Sequence, residues 1–157
     1  MPKLVLPQNI LEKDKYLALH ALQKGEYIHN LLKEILRLNP KGITVSQVDK
    51  STYLGRSTIW HHLEILASRA ECLKIQRGDI DIYHSNKVLE SLKDFNINGI
   101  DFYYNFDLVE NTFGKFLRLQ MKQEGRTGSI VNDCGILINL KFFGDVLSSL
   151  NQIKENI

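Results

Sequence analysis

Apolar and polar positions follow two periods along the chain, and where the period changes the structure is expected to change with it. From Glu12 to Leu38 the residues are mostly Leu, Ala, Lys and Glu, with Tyr27, Leu31, Ile35 and Leu38 recurring every three to four positions, which predicts helix. Two pieces are expected, divided at Gly25, since glycine weakens a helix interior by about 1 kcal/mol relative to alanine. Asn39-Pro40 with Gly42 ends the second piece. The first, around Tyr16 to Leu22, finds no partner in this stretch and is assigned to dimerisation.

Thr44-Val45-Ser46-Gln47 has the form of a capping box, in which the threonine hydroxyl accepts from the amide three residues on and the glutamine reaches back. A short helix follows, from Val45 to about Tyr53, then a turn at Leu54-Gly55. From Arg56 to Ala70, Ile59, Leu63 and Leu66 share one helical face while Arg56, Ser57, Trp60, His61 and Glu64 share the other. The period then drops to two: Leu73 and Ile75 alternate with polar residues up to Arg77, Gly78-Asp79 supplies a two-residue turn, and Ile80 to Tyr83 alternate back. Helix, helix, helix, hairpin is the order of a winged helix-turn-helix.

The run Leu54-Gly55-Arg56-Ser57-Thr58-Ile59-Trp60-His61-His62-Leu63-Glu64-Ile65-Leu66 resembles the recognition-helix signature of the ArsR-like winged-helix transcriptional regulators. The resemblance extends from about Thr44 to His84. It implies a recognition helix over 56–69 in the major groove and a wing over 73–84 on the flanking backbone. The implied DNA contacts are Arg56, forked onto guanine or phosphate; Ser57 and Thr58, donors to phosphate; His61, a base or phosphate donor; and Trp60, against thymine methyls. Lys74 and Arg77 would bring the wing to the backbone, with Gly78 allowing close approach. Plainer roles stand beside these: Trp60 folded onto the core, His62 at the core's edge, and Arg69 at the helix C-terminus, where a cation is favoured anyway.

Composition narrows the picture. The 157 residues are 43% hydrophobic and 24% charged, with three Pro and ten Gly, the balance of a globular protein. A net charge of +2 excludes a bulk basic coat for nucleic acid, so any affinity must rest on a few placed residues. Cys72 and Cys134 form no C-x-x-C pair, which points to a reducing cytoplasm and to no thiolate metal cage. No metal ligand set, cofactor motif, nucleophile elbow or phosphate loop is present, so no enzyme and no cofactor are expected. No signal-peptide run and no stretch of about 18 apolar residues occurs, so no membrane partner is expected.

Beyond residue 90 the pattern is harder to read. A short helix is expected over Lys87 to Leu92, then a joint at Asn96 to Gly99. Phe102, Tyr104 and Phe106 alternate as in a strand, as do Leu117, Leu119 and Met121. Between them a helix beginning at Leu108 is expected to give way to strand, with Gly114 as the doubtful point. Gly125 to Gly128 is a turn, Ile136, Ile138 and Leu140 make a further strand, and Phe142, Phe143, Val146, Leu147, Leu150 and Ile153 define an amphipathic helix. Two uses fit: a dimer interface, or a sensor with an aromatic pocket from Phe102, Tyr103, Tyr104 and Phe106; the plain alternative is that these aromatics are core.

The expected protein is thus α+β. A winged helix-turn-helix with N-terminal helices occupies 1–90, and a mixed strand and helix extension for dimerisation or effector binding occupies 91–157. Its expected function is sequence-specific regulation of transcription by a homodimer on double-stranded DNA, with a small-molecule effector left open. Half-sites would lie one DNA turn, about 34 Å, apart. The rival is a winged helix turned into a protein-docking module.

Overall fold

The computed structural model describes residues 3–96, 102–124 and 130–156, in which helices and two antiparallel sheets make a mixed α+β chain with a helix at its C-terminal end. Two units separate, 1–86 and 87–157.

In the first unit, α1 (Lys13–Leu17) and α2 (Ala21–Leu38) are separated at Ala18 to His20, not at Gly25. Gln23 explains the position of the break: its side-chain oxygen accepts from the His20 amide at 3.1 Å and starts α2 there. Gly25 sits within α2, its missing side chain facing open space. The expectation that the first helix lacks a partner is also corrected. The Tyr16 ring lies 5.7 Å from that of Tyr27 and 5.4 Å from that of Tyr53, and the Tyr27 hydroxyl accepts from the Leu11 amide and the Tyr53 hydroxyl. An aromatic side chain of this size brings apolar burial and a polar tip that finds a partner.

Thr44 caps α3 (Val45–Ser51) as its spacing predicts: Thr44 Oγ1 accepts from the Gln47 amide at 3.2 Å, and Gln47 Oε1 accepts from the Thr44 amide at 2.9 Å. Helix α4 (Arg56–Ser68) buries Ile59, Leu63 and Leu66 against Leu32, Ile35, Leu36 and Val48. Its end is closed by Ala70 in the left-handed region (φ +55°), with the Glu71 amide donating to the Leu66 carbonyl and the Ala70 amide to the Ala67 carbonyl.

Strands β1 (Cys72–Arg77) and β2 (Ile80–Ser85) form a two-residue hairpin in which Arg77 faces Ile80. Gly78 holds φ +59° at the first central position, the left-handed conformation that a II′ turn demands there. Ile43 joins the edge of the hairpin through paired backbone bonds with Tyr83, each 2.9 Å. That junction leaves no room at Gly42, where φ is +89° and a Cβ would lie 2.6 Å from His84 Cε1 and Ile82 Cγ2.

The second unit is a four-stranded sheet in the order β3 (Lys87–Asn96), β4 (Phe102–Asn111), β5 (Gly114–Glu124), β6 (Ile130–Asn139). It is followed by a single 3-10 turn (Leu140–Phe142) and α5 (Phe143–Glu155). Two expectations fall here. Residues 87–92 are strand, and no helix begins at Leu108: β4 runs through it, and a turn closed by the Phe113 amide on Asn111 Oδ1 (2.8 Å) leads directly into β5. Phe102, Tyr104 and Phe106 share a sheet face, whereas Tyr103 lies on the other, so the four do not form one pocket. They are half-buried, neither full core nor exposed. The opposite face buries polar groups: Asp107 accepts from Ser91 Oγ (2.6 Å) and from Arg118 Nε (3.0 Å), across three adjacent strands. Burial alone would raise the Asp107 carboxyl, but the Ser91 and Arg118 hydrogen bonds outweigh it and hold it below its ordinary value.

Candidate nucleic-acid interface

The face of α4 opposite the core is open at its N-terminal end. Arg56, Ser57 and Trp60 share it because they stand one and four positions apart on a 3.6-residue period. They line a groove of about 680 Å³ with Thr44, Val45, Ser46 and Lys50 from the start and outer face of α3, and with Asp79, Ile80 and Asp81 from the hairpin tip. Trp60 does not fold onto the core: 51% of it is exposed, and Ile80 across the groove is 47% exposed. Among the described residues, Arg56 and Lys50 make no ion pair, which leaves both cations available to a ligand in the groove.

The other expected contact residues are placed differently. Thr58 is half-buried and off the groove, while His61 is exposed just beyond it, its ring edge-on to His62 at 5.5 Å. Arg77 and Gly78 stand exposed at the hairpin end and do not line the groove. Lys74 is engaged within the fold: Nζ lies 2.7 Å from Glu64 Oε1 and 3.0 Å from Asp81 Oδ2. The Tyr83 hydroxyl donates to the same Glu64 oxygen, and burial with this bond pushes that hydroxyl far above its ordinary range. The hydrogen bond to Glu64 likewise raises the Lys74 ammonium and keeps it charged.

Lys50, Ser46 and Ile80 are groove residues that the α4 pattern does not reveal. A signal for the first two exists, since residues four apart on a helix share a face and the Thr44 cap sets the phase of α3. Ile80 carries none, because one exposed apolar residue beside a turn is ordinary.

Behind α4, His62 meets α2 at the edge of the core as its position predicts, its Nδ1 3.3 Å from His29 Nδ1 so that a proton on one is shared with the other. Among the described residues, His29 Nε2 is buried without a hydrogen-bond partner. Desolvation drives the His29 pKa down to about 4 and also lowers His62. Arg69 occupies the C-cap position of α4. Burial pushes the Cys72 thiol up to about 12 and makes it inert. The described residues contain no group of three or more His, Cys, Asp or Glu able to hold a metal ion, and no helix long and apolar enough to cross a membrane. No family model, curated protein or solved structure matches the chain.

Proposed function

We propose that the chain is a sequence-specific regulator of transcription, ArsR-like and of the winged helix-turn-helix class, which binds double-stranded DNA as a dimer. The observation that carries this reading is the groove: the exposed start of α4, with Arg56, Ser57 and Trp60, flanked by Lys50, which makes no ion pair among the described residues, and by the hairpin tip. In this reading α4 enters the major groove by its N-terminal end, where backbone amides favour nearby phosphate. Arg56 forks onto a guanine edge, worth about 1–3 kcal/mol of discrimination, and Trp60 covers a thymine methyl. Ser57 and Lys50 hold phosphate, while Arg77 at the hairpin end reaches the flanking backbone. Lys74 acts as a strut that fixes the hairpin to α4 through Glu64, so it adds little to DNA affinity.

A second reading has its own support. Trp60 and Ile80 expose apolar surface on both walls of the groove, and Asp79 and Asp81 repel phosphate, as suits a protein-docking module. Selection of bound duplexes from a random pool separates the two. The regulator enriches a short inverted repeat; a docking module enriches nothing and shows little duplex affinity even at low salt.

A further inference from the structure

The groove beside α4 holds opposite charges that do not close on each other. Arg56 and Lys50 line it from the helices and Asp79 from the hairpin tip, yet among the described residues none of the three enters an ion pair. Asp81, the other acid of the groove, is held by Lys74 at 3.0 Å, so Asp79 is the one left without a cation. Its place is set by the two-residue turn: Gly78 takes φ +59°, and Asp79 follows directly before Ile80, which stands exposed across the groove from Trp60. A carboxylate at this position opposes the phosphates of any duplex that enters. Contact with phosphate gives no reason for it, whereas contact with a base does.

We infer that Arg56 and Asp79 read the two bases of one G·C pair, Arg56 on the guanine and Asp79 on the cytosine. This rests on the regulator reading above and names the base pair that the groove selects. In the major groove guanine presents two acceptors, O6 and N7, and cytosine presents the N4 amino donor. Of the four arrangements of a base pair, G·C alone sets two acceptors against the guanidinium and a donor with no acceptor against the carboxylate. The inverted C·G pair puts the amino group against Arg56 and both acceptors against Asp79. An A·T pair turns the thymine O4 acceptor toward Asp79, and T·A keeps a donor for Asp79 but offers Arg56 one acceptor in place of two. The order of preference is therefore G·C, then T·A, then the other two. Trp60 and Ile80 serve the same contact, since apolar walls that exclude water strengthen the correct hydrogen bonds and sharpen the repulsion of a wrong pair. Asp79 thus acts as much by rejection as by attraction.

Selection of duplexes from a random pool by the full chain, repeated with Arg56→Ala, Asp79→Ala and Asp79→Asn, tests this. Asp79 is exposed at a turn, and Asp79→Asn keeps a residue suited to that turn while removing the charge; thermal melting of each variant establishes that it folds as the wild type does. The wild type enriches a motif with a constant G·C pair, and Arg56→Ala and Asp79→Ala relax the preference at that same pair. In fluorescence anisotropy, exchanging the pair for C·G or A·T costs the wild type about tenfold or more in affinity and costs Asp79→Ala about twofold or less. Both Asp79 variants bind unselected duplex more tightly than the wild type, because a charge that opposes phosphate is gone, an effect that loss of a merely structural turn residue does not give. Asp79 variants that keep the wild-type preference at the pair read by Arg56, or that relax a different pair, overturn the inference and leave the regulator reading standing. A wild type that selects no duplex overturns both.

Discussion

Lys74 on β1 and Glu64 on α4 form an ion pair of 2.7 Å that ties the hairpin to the outer face of the helix. Asp81 closes on the same ammonium from β2 and Tyr83 on the same carboxylate, so four side chains from three elements set where the hairpin tip stands beside Arg56 and Trp60. A cation held in this way is not offered to phosphate. Lys74→Ala therefore lowers the melting temperature of the first unit by several degrees, as a loss of about 1 kcal/mol does in a domain of this size, and leaves the salt slope of duplex binding unchanged. Arg77→Ala does the opposite, reducing that slope by about one with little change in melting. Thermal melts and salt-titrated binding of the two variants check both statements.

Gly42 and Gly25 predict opposite outcomes for the same substitution. At Gly42 an alanine must hold φ +89° with its methyl 2.6 Å from His84 and Ile82, and Gly42→Ala costs about 2 kcal/mol or more. At Gly25 the methyl meets open space within a helix, so Gly25→Ala stabilises by about 0.5–1 kcal/mol. Urea unfolding midpoints measured on both variants test the pair.

His29 makes stability depend on pH. Burial holds its folded pKa at about 4, below the ordinary histidine value of 6.5, so the unfolded chain binds the extra proton first. Its contribution is complete above about pH 6.5 and is lost as pH falls toward 4. His62 and His84, also lowered, act in the same direction. Unfolding free energy measured at descending pH should fall across that window, and His29→Gln should flatten the decline.

The parts of the fold that were legible in the sequence are those where one local device decides the outcome. The Thr44–Gln47 cap, the Gly78 turn and the face formed by Ile59, Leu63 and Leu66 each follow from chemistry within a few residues. The break after α1 was misplaced because the Gln23 contact to the His20 amide outweighs the weak penalty at Gly25. The start of β3, Lys87 to Leu92, reads as helix for a different reason. Irregularities in its pairing with β4, between Val88 and Glu90 and between Ser91 and Lys93, break strict alternation and leave Val88, Leu89 and Leu92 at near-helical spacing. At the groove, Arg56, Ser57 and Trp60 are legible from the helix face, which also carries His61 and Glu64, neither of them a groove residue. The capture of Lys74 by Glu64 and Asp81 is not legible, since it depends on how the hairpin folds back over α4.

The central claim is that the start of α4 reads duplex DNA. Fluorescence anisotropy with a selected duplex, titrated with salt, tests it most directly on the wild type and Arg56→Ala. The wild type should bind with an affinity that falls steeply as salt rises. Arg56→Ala should lose roughly tenfold or more, with the loss concentrated on the selected sequence. Equal affinity of the two proteins for that duplex, or no binding by the wild type at low salt, would contradict the claim.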